Sequence, residues 1–66
     1  MGKLTTQEKR VLELIAQGFS NKQIAEKLNV SLAVIKACSE VLYKKLGAHN
    51  RVQAVVKAIT QNIIKI

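Results

Sequence analysis

The chain has no proline and no tryptophan, one cysteine, one histidine, one phenylalanine, one tyrosine and only four acidic residues among its 66. Each shortage removes a class of explanation. A lone Cys38 cannot close an internal disulfide, and with His49 as the sole histidine no zinc-binding set of thiolates and imidazoles can be assembled. The same scarcity leaves no nucleophile, base and orienting group for catalysis, and so short a chain buries too little surface to enclose a deep pocket. No enzyme, cofactor, metal or small-molecule substrate is expected. No apolar run approaches the roughly 18 residues of a membrane span, and the N-terminus lacks the long apolar core of a secretory signal. The expectation is a soluble cytoplasmic protein. Residues 1–66 read as one unit, because no low-complexity tract, linker or repeat divides them.

What the chain does have is positive charge. Lys and Arg number 11, for a net charge of +7, and an imbalance of this size on so small a domain attracts polyanions. Residues 1–30 carry five basic and three acidic side chains, whereas residues 31–66 carry six basic and one acidic. The second half is the electrostatic footprint.

The pattern of caps and apolar residues predicts an all-α fold, a compact four-helix bundle containing a helix-turn-helix. Thr5 with Glu8 forms a capping-box pattern ahead of Val11, Leu14 and Ile15, and Gly18 supplies a left-handed stop, so the first helix covers about residues 6–17. Ser20 with Gln23 repeats the box before Ile24, Ala25 and Leu28, placing the second helix at about 21–28, with Asn29 breaking the pattern. Ser31 caps a third helix that Gly47 ends, about 32–46, and Asn50 caps a fourth over about 51–62. Only Asn29 and Val30 separate the second helix from the cap of the third. Helices joined that tightly cross steeply and leave the second of the pair exposed along one edge, a geometry that can place a helix in the major groove of DNA.

On the third helix Ile35, Cys38, Leu42 and Leu46 fall on one stripe, read as the core side, with Val34 and Val41 widening it on one flank. The opposite stripe holds Ala33, Lys36, Ala37, Glu40 and Lys44. Small alanines let a backbone approach a partner closely, while Lys36 and Glu40 can reach base edges. The helix N-terminus at Ser31 favours a phosphate, and Lys22 can reach the same strand.

The residues Leu4-Thr5-x-x-Glu8, Gly18 to Ala25, Ser31, Ile35-Lys36, Lys45-Leu46-Gly47 and Arg51 to Val55 together resemble the LuxR/GerE-type DNA-binding domain of bacterial transcription regulators. The resemblance covers about residues 4–60 without a gap. It implies the third helix as recognition helix and the fourth as dimerisation element, in proteins that often carry a receiver or ligand-binding domain as well. It further implies base reading by Lys36, Ala37 and Glu40, with Ala33 beside them, and backbone contacts around Lys22, Ser31, Lys44, Lys45 and Arg51. The implied partners are double-stranded DNA, a second copy of the chain on DNA, and RNA polymerase. Where the family pattern has Thr-Val-Lys-x-His, this chain has Val34-Ile35-Lys36-Ala37-Cys38, and Glu40 is an acid where a polar or basic residue is usual.

Plainer readings stand beside these. Cys38 reads as a small core hydrophobe, His49 as a solvated turn residue, and Lys44 and Lys45 as cations suited to a helix C-terminus. Arg51 either touches phosphate or pairs with an acid such as Glu8. On the fourth helix Val52, Val55, Val56, Ile59 and Ile63 read as the inward face, with Ala54 and Ala58 opposite; a dimer interface is expected at Ala54, Val55, Ala58 and Asn62. The tail adds Ile63, Ile64 and Ile66, apolar surface that favours self-association. The rival to DNA binding is a protein-interaction module on the same scaffold, its reading face weakened by Val34 and Glu40. A membrane-surface helix leaves the tight turn at Asn29 unexplained.

Overall fold

The computed structural model describes residues 4–64, which form four α-helices and no strand: α1 (Thr6–Ala16), α2 (Asn21–Leu28), α3 (Leu32–Leu46) and α4 (Arg51–Thr60). Every helix starts on the residue expected to cap it. Thr5 and Glu8 complete a reciprocal capping box, as do Ser20 and Gln23, and the Ser31 and Asn50 side chains accept from the Val34 and Gln53 amides. Each cap occupies one of the amides that a helix N-terminus leaves without a partner.

The helices also end alike. A residue with positive φ follows each, Gly18, Asn29, Gly47 and Asn62, and its amide bonds back three residues, to Ile15, Glu26, Lys44 and Ile59 respectively. The next amide, from Phe19, Val30, Ala48 or Ile63, reaches the carbonyl of Leu14, Ala25, Tyr43 or Ala58. This pair of bonds is the Schellman motif, and the residue after the left-handed position normally carries an apolar contact. Here Phe19, Val30, Ala48 and Ile63 are partly buried against the core. The fourth helix is therefore shorter than the expected 51–62, because Asn62 turns left-handed and closes it at Thr60.

Val11, Leu12 and Ile15 of α1, Ile24 of α2, Ile35, Leu42 and Leu46 of α3, Ala54 and Ala58 of α4 and Ile64 make one core. The α1 and α3 helices each pack on all three others, whereas α2 and α4 do not touch; α3 keeps an outer arc that the other helices leave exposed. Two expected faces are corrected. Val34 and Val41 do not widen the core stripe of α3, being 44% and 45% exposed. On α4, Ala54 and Ala58 are fully buried, while Val52 and Val56 are 72% and 55% exposed, so the helix is rotated relative to the expected inward face. Alanines at these two positions let the α4 backbone lie close against its neighbours. Of the tail, Ile64 is buried in this chain's own core and Ile63 packs against it; Ile66 lies outside the described residues.

Candidate nucleic-acid interface

The turn between α2 and α3 is made by Asn29 at φ 58° and ψ 46°, after which Val30 tucks inward and Ser31 caps α3. Asparagine takes the left-handed region at lower cost than most residues, so the chain leaves α2 and enters α3 within three positions. Beyond Ser31 the exposed arc of α3 consists of Ala33, Val34, Lys36, Ala37, Glu40, Val41 and Lys44, with Leu32 at 40% exposure on its margin. Every expected base-reading residue, Ala33, Lys36, Ala37 and Glu40, lies on this arc. Lys22, in the first turn of α2, and Ser31 are exposed too. The first-turn amides and the positive end of the α3 dipole sit at Ser31, where negative charge is favoured.

Two expected phosphate contacts have other partners. Lys45 Nζ lies 2.8 Å from Glu8 Oε1, joining the last turn of α3 to the first turn of α1. The Glu8 carboxylate also accepts the Thr5 amide at 2.8 Å. The hydrogen bond from Lys45 and then that from Thr5 hold the Glu8 carboxyl below its ordinary value, against the opposing effect of burial. Arg51 does not meet Glu8; its guanidinium donates to the Phe19 carbonyl, fastening the start of α4 to the loop between α1 and α2. The Phe19 ring is covered in turn by Lys27, whose ammonium lies 4.4 Å from its centroid. Cys38 is half-buried, and burial followed by the nearby Glu8 charge pushes its thiol pKa up. A thiol held protonated is a poor nucleophile.

The expected interface residues on α4 separate. Ala54 and Ala58 are enclosed by the chain's own core, Val55 is half-buried, and Asn62 is exposed just beyond the helix. What α4 offers outward is Val52 and Val56, which with Gly47, His49, Gln53 and Lys57 line an open groove of about 350 Å³. The sequence pattern does not single out these two valines, since Ala54, Val55, Ala58 and Ile59 of the same helix are apolar too and several rotations bury a plausible stripe. The sequence signals Glu8 as a cap and as an acid within reach of Arg51. Nothing local marks Lys45 as its partner.

Residues 2–58 match the description "Bacterial regulatory proteins, luxR family", also called GerE. The chain belongs to that family. The glycerol metabolism activator of Pseudomonas putida is 44% identical over 55 residues, 83% of this chain and 25% of that protein. The HTH-type transcriptional regulator MalT of Vibrio campbellii (strain ATCC BAA-1116) is 44% identical over 63 residues, covering 96% of this chain and 7% of its own. Among solved structures, the response regulator ChrA of a heme-sensing two-component system superposes with a TM-score of 0.93 at 38% identity, over 97% of this chain and 32% of that one. The chain thus spans a quarter or less of these two curated relatives. This LuxR-family domain has the all-α helix-turn-helix fold of a response-regulator output domain, and the family is one of DNA-binding transcription regulators rather than enzymes. No helix among the described residues is long and apolar enough to cross a membrane.

Proposed function

We propose that this LuxR-family domain is the sequence-reading output domain of a cytoplasmic bacterial transcription regulator, which inserts α3 into the major groove and occupies paired half-sites as a homodimer. The observation that carries the reading is the uncovered arc of α3, presented beyond a three-residue turn on a chain of net charge +7. Lys36 reads guanine O6 and N7, Glu40 accepts from a cytosine amino group, and Ala33 and Ala37 let the helix backbone approach. Lys22, Lys44 and the α3 N-terminus at Ser31 hold phosphates. Lys45 and Arg51 act indirectly, fixing the C-terminal end of α3 and the start of α4. The dimer forms through the outward side of α4, with Val52 and Val56 taking the place expected of Ala54 and Ala58. RNA polymerase is a further partner of the DNA-bound form.

The exposed Leu32, Val34 and Val41 support a second reading, a protein-interaction module whose α3 face receives another protein. Selection of bound duplexes from a random pool, at low and moderate salt, separates the two. Enrichment of an inverted repeat, with affinity falling steeply as salt rises, supports the first. Weak binding without enrichment overturns it in favour of the second.

A further inference from the structure

The exposed arc of α3 is divided chemically. Ala33 and Ala37, one turn apart, run along its middle; Lys36 and Glu40 lie to one side, Val34 and Val41 to the other. Ala37 stands three residues after Val34 and four before Val41, so Val34, Ala37 and Val41 form an unbroken apolar strip along two turns. Both valines are nearly half exposed. They can neither donate nor accept a hydrogen bond. In a groove, they gain only from apolar surface, and the one apolar group on the major-groove edges of the base pairs is the C5 methyl of thymine.

We propose that the Val34–Ala37–Val41 strip of α3 reads thymine methyl groups, making Val34 and Val41 specificity-determining residues. This rests on the DNA-binding reading above. At 1.5 Å per residue, the strip extends over about 10 Å of helix axis, the length of about three base-pair steps. A half-site therefore combines one or two thymines facing the apolar flank with a G·C pair facing Lys36 or Glu40.

The test uses the 66-residue chain and the duplex enriched by selection. Each thymine of a half-site is replaced singly by uracil, which removes the methyl and leaves base pairing and every hydrogen-bonding edge intact. The expected result is about fourfold weaker binding at one or two positions per half-site, the change that loss of one buried methyl produces, and no change elsewhere. Val34→Ser and Val41→Ser, both at exposed positions and checked by an unchanged thermal melt, each abolish the thymine–uracil difference at one position. An enriched sequence bound equally well with uracil throughout overturns the proposal and leaves the DNA-binding reading standing. Serine variants that still discriminate uracil overturn the assignment to these residues. Failure to enrich any sequence overturns the DNA-binding reading and this proposal with it.

Discussion

On α3 a residue's contribution is set by the side of the helix it occupies. Lys36 is exposed, and its neighbour at the next turn, Ser39, is 4% exposed with a hydroxyl that has no hydrogen-bond partner. Lys36→Ala is expected to leave the melting temperature unchanged and to cost about 1–3 kcal/mol of binding at the preferred site, relaxing selection at one base pair; titration against the preferred duplex and single-base variants checks this. A loss equal on all duplexes would make Lys36 a phosphate contact. Ser39→Ala removes a buried polar group that forgoes its water without a replacement, and places the best helix former in the middle of α3. It is expected to stabilise the fold by about 1 kcal/mol, seen as a rise of about 4–8 °C in Tm for a domain of this size.

At the scale of the elements, four helices are bounded by four side-chain caps and four left-handed residues, two glycines and two asparagines. Asn29 has the most demanding place, because the three-residue turn it begins aims α3. Asn29→Ala puts a Cβ-bearing residue without a helpful side chain into the left-handed region, at a cost of about 1 kcal/mol, whereas Asn29→Gly is near neutral; urea midpoints of the two variants measure the contrast. The tie between α1 and α3 is electrostatic. The Glu8 pKa is lowered in the folded chain, so the unfolded chain binds that proton more readily. The stabilisation is therefore present above the ordinary carboxylate value of 4.5 and is lost as pH falls through the folded value. Glu8→Gln is expected to lower stability at neutral pH and to flatten the acid side of the stability profile, read from urea unfolding between neutral and strongly acidic pH.

For the molecule as a whole, a body of 28 × 22 × 20 Å keeps α3 and the outward side of α4 uncovered at once. A single domain makes few phosphate contacts, and pairing two copies on one duplex turns the second binding event into an intramolecular one. Val56→Asp, at a position more than half exposed, is expected to leave folding and single half-site binding close to the original chain. Affinity for paired half-sites should fall about tenfold or more. Titration of duplexes with one and two half-sites distinguishes this from a general electrostatic loss, which would weaken both alike.

Local chemistry was legible in the chain of residues by itself. Caps act within three or four positions, so Thr5, Ser20, Ser31 and Asn50 announced the helix starts, and Gly18, Asn29 and Gly47 the stops of the first three, within a residue of where they lie. The exposed positions of Lys36, Ala37 and Glu40 followed from the same short-range periodicity, set against the stripe of Ile35, Leu42 and Leu46. Asn62 ended α4 early because a side chain that tolerates the left-handed region outweighed the continuing apolar pattern. What only the tertiary structure decided are relations between residues far apart. Lys45 meets Glu8 across 37 positions and Arg51 meets Phe19 across 32, and sequence spacing does not determine which of several cations reaches an acid or a carbonyl. The rotation of α4 belongs with these. Val, Ala and Ile surround most of that helix, so its own pattern permits several buried faces; close packing against α1 and α3 selected the small pair, Ala54 and Ala58, and turned Val52 and Val56 outward.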